Sequence, residues 1–177
     1  NFEQTSVTGA TATAQIADAP DTTTVSVTTT NVTEDEAGVT FHFQLSNPPQ
    51  AGQPASLTVD VGGKSYTVNV DATGKGELFI ETRNADVYQD ASSLTATVKE
   101  IVGGNFEQTS VTGATATAQI ADTLDTVKLE LTAEPSVDEG KTITYTVKVS
   151  DPPRDTPLVI KLSNGAEVTI PVGATSA

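Results

Sequence analysis

Hydrophobic and polar residues alternate with a period of two along most of the chain. In residues 39–45, for example, Val, Phe, Phe and Leu alternate with Thr, His and Gln. Successive side chains of a strand point to opposite faces, so this pattern predicts strands that bury one face. We count seven such strands, A to G, whose inward residues are Val25 and Val27; Val39 to Leu45; Leu57 to Val61; Tyr66 to Val70; Leu78 and Ile80; Leu94 to Val98; and Ala114 to Ile120. No window has a useful helical period, so an all-β fold is predicted.

Turn signals separate these runs. Gly62-Gly63 and Asn164-Gly165 each lie between two alternating segments, and both pairs tolerate the positive φ angles of a two-residue type I′ hairpin. The Pro pairs at 48–49 and 152–153 lack backbone donors and are expected to end strand B.

An internal repeat sets the domain organisation. Residues 1–18 and 105–122 have the same sequence, NFEQTSVTGATATAQIAD, and further matches continue at the same shift. One module of about 100 residues has the size of an immunoglobulin-like β-sandwich with Greek-key connections. We therefore interpret residues 1–20 as the C-terminal strand of a preceding module, 21–122 as a complete module, and 123–177 as the N-terminal half of the next one. Such tandem modules form an extended array in which neighbours meet at their ends.

Composition narrows the function. The 177 residues include 23 Asp and Glu but only 9 Lys and Arg, which gives a formal charge of −14. This charge disfavours nucleic acid and anionic lipid as partners, because both need a cationic surface. There is no apolar run long enough for membrane insertion. The chain has no cysteine, so rigidity outside the cell would have to come from another source, such as metal ions.

Carboxylates concentrate in the loops predicted at one pole of the complete module. If the strands alternate in direction, the A–B loop, the E–F loop and the exit of strand G share that pole. A hard cation with oxygen ligands would relieve their repulsion, and Ca²⁺ suits flexible loops. The alternative is a solvated acidic surface without an ion. The predicted calcium ligands at this joint are Glu34, Asp35, Glu36, Asp86, Asp90, Asp122 and Asp125.

Acidic residues recur at the corresponding places of the neighbouring modules. Asp138 and Glu139 lie in the A–B loop of the third module, so a further calcium site is expected there. Asp18 and Asp21 would belong to the preceding joint, which we expect to be incomplete.

Catalysis is not expected. The single histidine, His42, lies on the predicted outward face of strand B, and its counterpart in the next module is Thr146. There is no cysteine nucleophile and no glycine-rich phosphate loop before a helix. A second hypothesis is that the module binds a glycan or a protein, and Tyr88 in the E–F loop is the best candidate for that contact. However, the exposed strand faces are poor in the aromatic residues that dominate binding surfaces.

Two long segments resemble a known family. The run DVYQDASSLTATVKEIVGGNFEQTSVTGATATAQIADTLDT at 86–126 resembles the extender repeats of large bacterial RTX adhesins of the LapA type (large adhesive protein). So does VKLELTAEPSVDEGKTITYTVKVSDPPRDTPLVIKLSNGAEVTI at 127–170. The glycine-aspartate nonapeptides of RTX regions are absent. The two A–B loops also differ, TEDEAG against VDEGKT, which implies that the ligands of the metal vary between joints.

The resemblance implies a structural function. It predicts a secreted spacer, anchored through its parent protein in the outer membrane, that carries a distal ligand-binding region for attachment and biofilm formation. It also implies calcium at the interdomain joints. The partners would be neighbouring identical modules. We further expect strand exchange between copies, in which the N-terminal segment of one chain packs on the half module of another.

Overall fold

The computed structural model describes residues 3–6, 8–89 and 91–177. Its described part contains β-strands and turns but no helix. No segment of that part therefore has the helical length and hydrophobicity that crossing a membrane requires. The first unit contains nine strands: β1 (Thr22–Thr29), β2 (Val32–Thr33), β3 (Gly38–Leu45), β4 (Ala55–Val61), β5 (Lys64–Val70), β6 (Lys75–Glu81), β7 (Ser92–Gly103), β8 (Gln108–Ser110) and β9 (Thr115–Ala121).

The nine strands form two sheets that enclose one core. One sheet has the order β6-β3-β1-β8 and the other β2-β9-β7-β4-β5. Most neighbours are antiparallel, as in the β3–β6 pair, where Phe41 lies opposite Leu78. The β1–β8 and β2–β9 pairs are parallel. This arrangement confirms the predicted all-β sandwich.

Two short strands, β2 and β8, lie outside the seven predicted runs, which explains why nine strands replace seven. Strand A corresponds to β1, and β2 follows it in the other sheet; the carboxamide oxygen of Asn31 between them accepts a hydrogen bond from the Gln119 backbone N–H at 2.9 Å. Strand G corresponds to β9, and β8 precedes it in the other sheet. Alternation distinguishes the inward from the outward face, but it carries no signal for the sheet to which a strand belongs.

The core follows the alternating pattern. The inward residues of β3 and β4 are almost completely buried, as are those at the centre of β7. The buried cluster of the first unit comprises Val25, Val32, Val39, Phe41, Phe43, Leu45, Leu57, Val59, Val61, Val68, Ala96, Val98, Ile101, Ala114, Ala118 and Ile120. The inward residues of β9 are Ala116, Ala118 and Ile120, of which Ala118 and Ile120 are buried.

The second unit contains four strands and a smaller core. They are β10 (Leu129–Ala133), β11 (Tyr145–Val149), β12 (Leu158–Lys161) and β13 (Glu167–Ile170), which form two antiparallel pairs. Val147, Val149 and Ile170 are its buried hydrophobic residues. By contrast, Leu129 is 50% exposed, although Val25 at the equivalent place in the first unit is buried.

The two predicted hairpins differ. Gly62 and Gly63 have φ of 59° and 82°, and Val61 pairs directly with Lys64, which confirms the two-residue hairpin. Of the Asn164-Gly165 pair, only Gly165 has positive φ, at 86°. There the backbone N–H of Leu162 donates to the carbonyl of Ala166, which leaves a loop of three residues. The prediction of a two-residue turn at Asn164-Gly165 was therefore wrong, because a single left-handed glycine suffices for a three-residue loop.

The two copies of the repeated sequence have different structures. Residues 105–122 include β8 and β9, whereas residues 3–6 and 8–20 contain no strand. Ile120 is 7% exposed, and Ile16, which is its counterpart, is 96% exposed. The interpretation of residues 1–20 as the end of a preceding module stays a prediction.

Candidate functional site at the joint between units

Glu34 lies where three segments of the first unit meet. Its backbone N–H donates to the carbonyl of Ala121 at the end of β9, at 3.0 Å. Its carbonyl accepts from the backbone N–H of Asn84 in the β6–β7 connection, also at 3.0 Å. The β2–β3 loop, the β6–β7 connection and the exit of β9 therefore share one pole of the sandwich.

The Glu34 side chain connects this pole to the linker between units. It is 2% exposed, and its Oε1 accepts hydrogen bonds from the backbone N–H of Thr123 at 3.0 Å and from the Thr123 hydroxyl at 3.1 Å. The same hydroxyl lies 2.9 Å from Oδ2 of Asp35, so its single hydrogen is shared between two carboxylates. A buried carboxylate is costly unless donors compensate its lost hydration. Thr123 supplies two such contacts.

The other acids of this loop and linker are more exposed. Oε1 of Glu36 accepts from the backbone N–H of Thr33 at 3.1 Å, so this side chain turns back onto its own loop. Asp122 is half-buried directly before Thr123, and Asp125 is exposed. Asp90 lies outside the described residues.

Asp86 points to the second unit. Its Oδ1 accepts from the backbone N–H of Tyr88 at 2.8 Å, and its Oδ2 lies 3.1 Å from Nη2 of Arg154. The hydrogen bond from Tyr88 and the adjacent Arg154 guanidinium lower the pKa of Asp86 below its ordinary value, against the opposing effect of desolvation.

Tyr88 completes a contact between the two units. Its hydroxyl donates to the carbonyl of Pro152 at 2.6 Å. The Arg154 guanidinium lies over its ring, 3.6 Å from the centroid. Because one face of the ring and the hydroxyl are occupied by residues of the second unit, Tyr88 contributes to the joint.

The remaining predicted metal residues lie apart from this joint. Asp18 is exposed, and the backbone N–H of Asp21 donates to Oε2 of Glu107 at 2.6 Å. Asp138 and Glu139 are exposed in a turn, where the carbonyl of Asp138 accepts from the backbone N–H of Lys141.

The donor chemistry at the Glu34 pole suits calcium, but the arrangement is incomplete. Two carboxylates and a hydroxyl converge there, and all are hard oxygen donors. Within residues 3–6, 8–89 and 91–177, no three Asp, Glu or His side chains are assembled as a metal-binding group. Binding calcium would therefore require a further oxygen ligand to move in, and Asp122 is the linker carboxylate that directly precedes Thr123.

Two residues at the joint were not identified from the sequence. Thr123 had no signal, since its counterpart at the repeat shift is Ala19. Arg154 could have been noticed as one of only nine cationic residues in an acidic chain, next to a Pro pair in a loop. Its partner Asp86 was predicted as a metal ligand and contacts a guanidinium in the structure.

His42 lies on the outer face of β3, as the alternation predicts. Its Nδ1 is 3.0 Å from Oε1 of Glu77, and both side chains are more than half exposed. This is a cross-strand surface pair, because β3 and β6 bring the two residues opposite each other.

Comparison with known proteins identifies a family. A crystal structure of a two-domain protein of unknown function from Bacteroides fragilis matches with a TM-score of 0.31 and 7% identity, over 88% of this chain and 87% of the other. A search of curated proteins gave no match. The family model described as the LapA domain matches residues 21–123 and again residues 125–177. The chain therefore belongs to the LapA domain family.

Proposed function

We propose that this chain is an extender segment of a secreted, surface-attached bacterial adhesin, stiffened by calcium at the joint between its units. Membership of the LapA family supports an adhesin-related role, a non-enzymatic structural type of protein, and an extracellular or cell-surface setting. The extender role, the anchoring of the parent protein in the outer membrane, biofilm formation and the metal are the proposal.

The link between Glu34 and Thr123 is the observation that carries the proposal. A spacer transmits length only if its joints resist bending, and this hydrogen-bonded pair attaches the linker to a buried loop residue. The main strands of 7 or 8 residues span about 23–27 Å at roughly 3.3 Å per residue, and the loops and linker add to the length of each module. Neighbouring identical modules are the partners that such an array requires.

Calcium would bind the same two segments, the β2–β3 loop and the linker. Glu34 and Asp35 already face one hydroxyl of the linker, and Asp122 precedes it. An ion that binds loop and linker carboxylates together supplies charge neutralisation and a cross-link between them. The chain's own residues would orient the linker through the contacts with Thr123 and place its carboxylates near those of the loop.

Thermal unfolding of the whole chain in calcium and in EGTA tests the metal. We expect the melting temperature to rise with calcium, because an ion that binds only the folded state stabilises it by mass action. Asp35→Asn should reduce that rise, whereas Glu77→Gln, which removes a distant exposed acid, should leave it unchanged. The proposal fails if the melting temperature of the wild-type chain is the same in both solutions.

A further inference from the structure

A second connection between the units uses no metal. We propose that Asp86, Tyr88, Pro152 and Arg154 form a clasp, which is a metal-independent docking surface. Through it, the β6–β7 connection of the first unit holds the β11–β12 loop of the second unit. Three different contacts support it: the hydroxyl of Tyr88 to the carbonyl of Pro152, the guanidinium over the Tyr88 ring, and the ion pair between Arg154 and Asp86.

The chemistry of the clasp depends on a planar cation. The guanidinium stacks one planar face on the ring and donates in its own plane to Asp86; an ammonium group has no planar face, so lysine would hold the two partners in poorer geometry. The side chain of Asp86 is 23% exposed and that of Arg154 is 49% exposed, so the ion pair is partly shielded from water. Tyr88 and Arg154 each take part in two of the three contacts, so the loss of one contact weakens the others. A single exposed ion pair has no such support.

Both sides of the clasp are pre-ordered. Asp86 accepts from the backbone N–H of Tyr88, which fixes the local turn that presents the ring. On the other unit, Pro152 and Pro153 restrict the backbone that presents the carbonyl and Arg154. Little conformational entropy is therefore lost when the two loops meet.

The clasp is important because the units contact each other sparsely around it. A cleft of about 680 Å³ adjoins it, lined on one side by Val87, Tyr88 and Gln89 and on the other by Val127 and residues 151–158. No strand of the first unit pairs with a strand of the second in the described chain. The clasp therefore adds a restraint on rotation of one unit against the other, beside the attachment of the linker through Thr123.

The sequence indicates that the clasp belongs to individual joints. The position equivalent to Arg154 in the first unit is Gln50, which also follows a Pro pair. Gln50 instead contacts its own unit, where its Oε1 accepts from Nδ2 of Asn105 at 2.5 Å. A joint that places glutamine there lacks both the ring contact and the ion pair, so arginine at this position marks a joint that keeps part of its order without metal.

The test measures the joint in EGTA, so that calcium makes no contribution. The whole chain lacks cysteine, and Ser65→Cys with Ser163→Cys places one spin label on each unit at exposed positions. Pulsed electron paramagnetic resonance then gives the distribution of distances between the labels. We expect Arg154→Gln to broaden this distribution about twofold, because the joint then exchanges between orientations. Arg154→Lys should broaden it less, and Arg83→Gln, which removes a cation from the same connection of the first unit, should leave it unchanged.

Equal distributions for the wild-type chain, Arg154→Gln and Tyr88→Ala would overturn the clasp. A second measurement needs no mutant: the side-chain protons of Arg154 should show upfield NMR shifts from the Tyr88 ring, and ordinary shifts would also overturn it. Neither result bears on the calcium proposal, because both measurements are made without calcium. Conversely, a chain that does not respond to calcium leaves the clasp intact.

Discussion

At the scale of single residues, the joint depends on how a few side chains use their hydrogen bonds. Glu34 is buried and binds both the backbone and the hydroxyl of Thr123. Replacing Glu34 by Ala should lower the free energy of unfolding of the first unit by about 1–3 kcal/mol, because two partly buried donors of Thr123 lose their acceptor. Urea unfolding measures this change.

Thr123→Val is the matched variant for that measurement. It keeps the backbone N–H and a similar shape but removes the hydroxyl, so its effect should be smaller than that of Glu34→Ala. Equal or larger destabilisation by Thr123→Val would contradict the dominant role of the carboxylate.

The titration of Asp86 reports on the clasp. The hydrogen bond from the Tyr88 N–H is the largest cause of its lowered pKa, and the hydrogen bond and charge of Arg154 add to it. A carboxylate whose pKa is lower in the folded state stabilises that state above its ordinary pKa of 3.8, and this contribution is lost as the pH falls through the lowered value. NMR titration should therefore give a pKa below 3.8 for Asp86.

Arg154→Gln should move the pKa of Asp86 part of the way back to its ordinary value, since the hydrogen bond from Tyr88 remains. No change in this variant would mean that the guanidinium does not lie beside the carboxylate in solution.

The sequence predicts which residues face inward far better than it predicts their polar partners. Period-two alternation places Phe41 and Leu57 in the core, where both are fully buried. The partners of Asp86 depend on how two loops from different units meet, and no local pattern encodes that distance. Asp86 was consequently expected to bind a metal, although it contacts Arg154 in the structure.

At the scale of elements, the repeated segment shows how one sequence adopts different structures in different surroundings. Ile16 and Ile120 have the same neighbours along the chain, but only Ile120 is buried. Ile120→Ala should cost about 2–5 kcal/mol of unfolding free energy, as expected for a truncated core residue. Ile16→Ala should cost almost nothing. Comparable effects of the two variants in thermal or urea unfolding would show that the first segment is also packed.

Strand propensity alone therefore does not make a strand. Residues 115–121 form β9 because β7 and β2 offer them hydrogen-bonding edges and a core to cover. The alternating pattern of residues 11–17 is identical, yet these residues are not in a strand. Tertiary contacts decide the outcome for a sequence that permits both.

At the scale of the whole molecule, the exposed copy of the segment leads to a prediction about self-association. We propose that the first segment of one chain packs on the second unit of another, where Leu129 and Leu131 are about half exposed. Sedimentation velocity should then show association that increases with concentration and that Ile16→Asp weakens. A monomer at all concentrations would contradict strand exchange.

The repeat, the all-β class and the position of the acids in loops could all be derived from the sequence. Whether those loops and the linker bind the same ion could not, because ligand geometry depends on side-chain placement across segments that are distant in sequence. Glu34 contacts Thr123 across 89 residues of chain. The central claim, that an ion stiffens the joint, therefore needs a direct measurement.

That measurement is the distribution of distances between spin labels at Ser65→Cys and Ser163→Cys in calcium, compared with the distribution in EGTA. The account predicts a narrower distribution in calcium, and loss of this narrowing when Glu34→Gln and Asp35→Asn are combined. A distribution with the same width in both solutions would contradict it.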